Sequence, residues 1–256
     1  MLHLKLKSLL LLLTSLFFFS KGQTQVVNIE NKRIYDDTSG WSGTVEASFS
    51  AQQTKDLLFA LNFKHLIQYK TRKHYYLVMS DLRYSGGRIV YANSGMAHAR
   101  YAYRIKNGPW KWESYSQVQY NQLLLQKLRT LVGTGLRWKF YDQKESKFFA
   151  GSSVFFEYEE IQRDPTNTYN NTFRWSNYLS WFINRPTYSF TAATYYQPSL
   201  ADFKDFRISG QYTYLFKMKK RVDFKFELTG FYDSRPPETV RDFTFSSTFG
   251  IVLRLK

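Results

Sequence analysis

Apolar and polar residues alternate with a period of two along most of this chain. The last stretch shows it best: Phe243, Phe245, Phe249, Ile251, Leu253 and Leu255 alternate with Thr244, Ser246, Thr248, Gly250 and Arg254. That period places the two sets on opposite faces of a strand. One face is apolar and uncharged, and the other is polar. The pattern recurs about twelve times, which predicts an all-β chain forming an antiparallel transmembrane β-barrel with lipid outside and water inside.

The first strand is predicted over residues 44–52, with Val45, Ala47, Phe49 and Ala51 outward, and the second over 58–70. The third covers 75–85. The fourth ends at 106, with Ala97, Ala99, Tyr101, Tyr103 and Ile105 on one face, before an Asn107-Gly108 hairpin signal. Further strands are expected over 110–121, 130–141, 147–159, 173–184, 188–197, 206–217 and 221–233, and the last runs to the C-terminus. Short turns at 71–74, 106–109, 142–146, 184–187 and 218–220 mark one end. The other end has mostly longer loops, including a polar one over 160–172. Outer-membrane barrels have short periplasmic turns, longer extracellular loops and an even strand count. Trp110, Trp112, Tyr75, Tyr76, Trp181 and Tyr188 lie near the short turns and are expected to form an interfacial aromatic girdle.

Composition changes the picture in three ways. The mean hydropathy of -0.44 rules out a helical membrane protein but not a barrel, whose alternate residues face the lumen. There is no cysteine, which excludes disulfides, thiolate metal sites and a lipoprotein anchor. The start reads as a secretory signal over 1–22: Lys5 and Lys7, then the apolar runs Leu9–Leu13 and Leu16–Phe19, then Ser20, Lys21 and Gly22. A periplasmic N-terminal segment, 23–40, then leads into a barrel over 41–256. Val26, Val27 and Ile29 could pair as a short strand, and the segment could also fold into the lumen.

The net charge is +16, and removal of Lys5, Lys7 and Lys21 leaves +13. An exported protein with scattered basic residues points to anionic lipid head groups or small anionic solutes and not to nucleic acid. The expected partners are outer-membrane lipid, lipopolysaccharide and the outer-membrane assembly machinery.

The lumen is expected to hold Glu46, Asp81, Arg83, Arg100, Arg104, Glu113, Arg137, Lys139, Glu157, Arg174 and Glu227. Lys64, Glu159, Arg207, Asp223, Lys225 and Arg254 share that face. They suit a salt-bridge network filling the lumen, or a polar conduit biased towards anions. A barrel of this size lies between filled small barrels and open porins. Gly133, Gly135, Gly151 and Ser153 gather on the inner face and either relieve crowding or line a cavity.

No nucleophile elbow, zinc-protease helix or phosphate loop is present, no metal-ligand spacing is found, and no cofactor is implied. His98 faces inward and could be drawn with Glu157 or Glu159 as an acid–base pair, although a structural role suits it better. An outer-membrane enzyme acting on lipid or lipopolysaccharide is the alternative, and it would need a nucleophile–base pair at the outer rim.

Ile29-Glu30-Asn31-Lys32-Arg33-Ile34 and Asp37-Thr38-Ser39-Gly40-Trp41-Ser42-Gly43 resemble domain-of-unknown-function family 481, which includes the salt-induced outer membrane protein YdiY. Ala99-Arg100-Tyr101-Ala102-Tyr103, Gly133-Thr134-Gly135-Leu136-Arg137 and the strand from Ala150-Gly151 to Glu157 extend the likeness. The resemblance implies an outer-membrane barrel of undefined activity, with a link to salt or envelope stress and no catalytic residues to carry over. Abundant Asn, Lys and Tyr suggest a Bacteroidota-type source. The chain ends Leu255-Lys256 where many outer-membrane barrels end on an aromatic residue.

Overall fold

The computed structural model describes residues 39–53, 57–163, 165–218 and 222–253. The expected signal peptide, nearly all of the expected N-terminal segment and the last three residues lie outside them. Twelve strands form one antiparallel sheet in chain order: β1 (Gly40–Gln53), β2 (Leu57–Lys70), β3 (His74–Gly86), β4 (Val90–Arg104), β5 (Trp110–Asn121), β6 (Gln126–Gln143), β7 (Ser146–Ile161), β8 (Thr168–Asn184), β9 (Tyr188–Pro198), β10 (Phe206–Lys217), β11 (Val222–Asp233) and β12 (Phe243–Leu253). The sheet rolls up so that Arg207 on β10 reaches Glu157 on β7 at 3.0 Å, past the two intervening strands. Among the described residues no ladder joins β1 to β12, so these strands flank the seam of the barrel.

The outward face is the expected apolar one. Val132, Leu179 and Phe249 are each more than 60% exposed, as side chains that face lipid must be. Polar atoms on this face pair with one another: His65 Nδ1 with Ser80 Oγ at 2.7 Å, Trp175 Nε1 to Ser152 Oγ at 2.8 Å, Trp181 Nε1 to Ser146 Oγ at 3.0 Å and Thr194 Oγ1 with Tyr212 at 2.9 Å. Where no water can solvate a donor, such pairing is obligatory.

The aromatic girdle runs from strand to strand near the short turns. Trp41 meets Tyr69, Tyr69 meets Tyr76, Tyr76 meets Tyr101 and Tyr101 meets Trp112. Trp110 stacks on Trp138, Phe148 on Trp181 and Tyr188 on Tyr214. Tyr75 is not part of it. It is buried inside the barrel, where its hydroxyl donates to Gln68 Oε1 at 2.9 Å. The alternation allows only one of Tyr75 and Tyr76 to face out.

Three boundaries differ from expectation for physical reasons. The loop expected over 160–172 shrinks to 162–167, because β7 continues to Ile161 and β8 begins at Thr168. These extensions are polar because they rise beyond the apolar band, where the ladder persists without a lipid face. The β4–β5 hairpin turns one residue earlier than Asn107-Gly108: Lys106 and Asn107 carry the left-handed backbone, φ 47° and 54°. Gly108 N donates to Ile105 O at 2.9 Å, as in a type I′ turn. β6 starts at Gln126, four residues early, after a 3₁₀ turn at Gln122–Leu124.

The short turns expected over 71–74, 106–109, 142–146 and 184–187 are present at one end, and 219–220 of the turn expected over 218–220 lie outside the described residues. The longer connections at the other end, 162–167, 199–205 and 234–242, all belong to the β7–β12 side.

Candidate functional site: the barrel interior

The interior falls into layers. Its β2–β4 side is apolar: Leu66, Leu77, Met79, Met96 and Ala102 pack with Tyr75 on inward positions. A purely polar inner face was expected, but Tyr75, Leu77 and Met79 alternate with Tyr76 and Val78, so both faces of β3 are apolar in this stretch.

Towards the long-loop end a charged cluster centres on Glu157, which is fully buried. Its carboxylate accepts from Arg129 Nε at 2.8 Å, Arg174 Nε at 3.2 Å and Arg207 at 3.0 Å. Arg207 also donates to Glu159 at 2.7 Å and Asp233 at 2.8 Å, and Arg174 to Asp205 at 3.0 Å. Three guanidiniums thus face four carboxylates, with the bonds needed to keep buried charges ionised. A file of amides joins the cluster: Gln117 donates to Gln119, Gln119 to Gln126 at 2.7 Å, and Gln126 to Glu159. His98 ends the file, with Nδ1 at 3.1 Å from Gln117 Oε1 and Nε2 at 3.4 Å from Arg100 Nε.

A second group lies deeper. Arg100 meets Glu113 at 2.9 Å and Arg137 meets the same carboxylate at 3.8 Å. The guanidinium of Arg137 lies 4.0 Å over the Phe149 ring, and that of Arg100 lies 5.1 Å over Tyr115. The inward glycines serve this packing. A Cβ on Gly151 would fall 1.9 Å from the Tyr178 ring, and one on Gly133 2.6 Å from Phe155 and 2.7 Å from Tyr115. They relieve crowding so that rings can lie against the wall.

Two cavities flank that layer and share no lining residue among the described residues. The upper one, about 110 Å³, lies among Tyr115, Gln119, Arg129, Tyr195 and Arg207 beneath Pro236, Pro237 and Val240. The long loops close over it through ion pairs, Arg163–Glu238 and Arg235–Asp202. The Asp202 carboxyl is held below its ordinary range, chiefly by the Lys204 backbone N–H and further by Arg235. The lower cavity, about 510 Å³, opens among the short turns, and among the described residues its lining has eight Lys and Arg side chains and one carboxylate.

The predicted lumen residues sort accordingly. Arg100, Glu113, Arg137, Glu157 and Arg174 are buried in the two charged groups. Asp81 pairs with Arg83 at 3.0 Å on β3, and Glu227 with Lys225 at 2.8 Å on β11. Arg104 and Lys139 line the lower cavity. Glu46 stands opposite Lys64 on the exposed inner face of β1, beside the seam. Sequence reading missed Arg129, Asp205, Asp233 and the glutamine file. Arg129 precedes the expected start of its strand, and Asp205 and Asp233 sit where strands pass into loops and alternation stops. The parity of Gln117 and Gln119 with Glu113 on β5 was the available signal.

No curated protein matches the chain. Among solved structures, the NanC porin in its rhombohedral crystal form matches with a TM-score of 0.47 and 13% sequence identity, covering 83% of this chain and 100% of that one. A family model matches residues 45–253, and the chain belongs to that family, described as protein of unknown function DUF481.

Proposed function

We propose that this is an integral outer-membrane barrel that is structural or conducts narrowly, with its short turns in the periplasm. The observation that carries this reading is the division of the interior. The layer of Arg100, Glu113, Arg137 and Phe149 separates two cavities that share no lining residue among the described residues. A wide pore cannot run through that side of the barrel. Among the described residues, exposed inner-face positions include Glu46, Ser48 and Ser50 on β1 and Thr248 on β12, which flank the seam. Any ion path therefore runs beside the seam and through the basic mouth, which favours anions. A role under salt or envelope stress is consistent with the family resemblance.

Single-channel recording in a planar bilayer tests this. The expected result is small or no conductance, with reversal potentials in a salt gradient that favour anions. A large cation-selective current would overturn the reading, because it needs a wide lumen and an acidic lining.

A further inference from the structure

The upper cavity has walls of two kinds. On β5 and β6 it is lined by the amides of Gln117, Gln119 and Gln126. On β8 and β9 it is lined by Tyr178 and Tyr195, which stand opposite each other in the ladder with ring centroids 5.2 Å apart. Curvature of the sheet turns the amides and the ring pair into the same space. Ser176 and Gln197, joined at 3.1 Å, extend the polar lining beside the rings.

The amide file fixes what this wall can offer. Gln117 accepts from His98 and donates to Gln119, Gln119 donates to Gln126, and Gln126 donates to Glu159. Each amide thus uses one N–H and one lone pair in the file, out of two of each. Those bonds hold the second N–H in a set direction, so accepting a hydroxyl there costs little side-chain ordering. The charges of the wall are matched internally. Arg100 meets Glu113, Arg129 meets Glu157, and Arg207 meets Glu157, Glu159 and Asp233. An ionised ligand would surrender its hydration to cations already engaged, whereas hydroxyls match the amides and the C–H face of a ring matches tyrosine. A cavity of about 150 Å³ accepts a benzene ring, so about 110 Å³ limits the ligand to one small ring.

We propose that the upper cavity binds an uncharged polyol no larger than one sugar ring, seated between the tyrosine pair and the amide file. Pro236, Pro237 and Val240 roof the site, so their loop lifts to admit the ligand. The site goes beyond the conduction reading, since a divided interior can hold a ligand without passing it.

The test titrates the full chain, refolded into detergent micelles, with xylose and glucose by saturation-transfer NMR. Saturable binding of at least one of them is expected. Glucuronate, which adds a charge to the same ring, and maltotriose, which is too long for the cavity, should bind about tenfold more weakly or not at all. Gln119→Leu removes an amide from one wall and Tyr195→Leu a ring from the other. Each should weaken binding of the sugar about tenfold, and each is checked for folding by heat-modifiable mobility. Lys127→Gln, outside the cavity, should change nothing. No binding of xylose or glucose, equal affinity for glucuronate or maltotriose, or an unchanged affinity in the folded variants would overturn the site. A bound sugar that gains no saturation from tyrosine ring protons would overturn it without any variant. Conductance, whether found or not, leaves each of these outcomes as it is.

Discussion

Glu157 shows how a single side chain can organise the interior. It is wholly buried and neutralises three guanidiniums from β6, β8 and β10. Glu157→Gln keeps the shape but leaves those cations without their common partner. Removing one member of a buried ion pair costs about 3–5 kcal/mol, and denaturant unfolding in vesicles should show a loss of that order. Arg129→Gln should be milder, since Glu157 keeps Arg174 and Arg207 and the Arg129 side chain is 12% exposed. Unchanged stability in Glu157→Gln would mean that the cluster contributes nothing to the fold. Gly151 makes the complementary case, because its missing Cβ is what lets the Tyr178 ring lie on the wall. Gly151→Ala should cost about 1–3 kcal/mol through overpacking. Adding Tyr178→Leu should recover part of the loss if the ring is the obstacle, and no recovery would place the strain in the backbone.

At the level of the strand, the two faces must differ sharply in what they tolerate. Ile251 on β12 faces outward, paired with Phe224, and Thr248 is in inward register opposite Glu227. Ile251→Arg puts a charge on the lipid face, at about 2–4 kcal/mol near the bilayer midplane, and should lower the yield of folded protein in an insertion assay. Thr248→Arg places its charge beside Glu227 and should insert nearly as well as the parent. Equal losses from the two would show that the register of β12 is wrong. Strands of this kind were legible in the sequence because lipid demands an unbroken uncharged face, and β5 and β10 match their expected bounds from Trp110 to Asn121 and from Phe206 to Lys217. Legibility faded where that demand lapses. The polar ends of β7 and β8 read as loop because no lipid touches them. The inward side of β3 read as outward at Tyr75 because both of its faces are apolar there. Arg100, Glu113 and Glu157 were recognisable as inward charges, but their partners across the barrel were not, since alternation gives facing and not which distant strands the curvature brings together.

For the molecule as a whole, the two ends differ in kind. Long loops tied by Arg163–Glu238 and Arg235–Asp202 close one end over a small, internally neutralised cavity. Among the described residues the other end is basic and ringed by tryptophan and tyrosine. Between them stands a wall whose polar outward atoms bond to one another and whose charges turn inward. A soluble protein has no need of this arrangement, because water would satisfy those atoms and would favour charges on the outside. The chain should therefore sediment with the outer membrane and resist extraction by alkaline carbonate or high salt. A peripheral protein held only by its positive charge would be released by either treatment, since both weaken surface electrostatics. The folded form should also migrate faster than the boiled one on a detergent gel, as a ladder of twelve strands resists detergent until heated. Recovery in the soluble periplasm would exclude membrane insertion. Release by salt alone would reassign the apolar outward face to contact with another protein, because a spanning barrel is held by its buried apolar band and not by its charge.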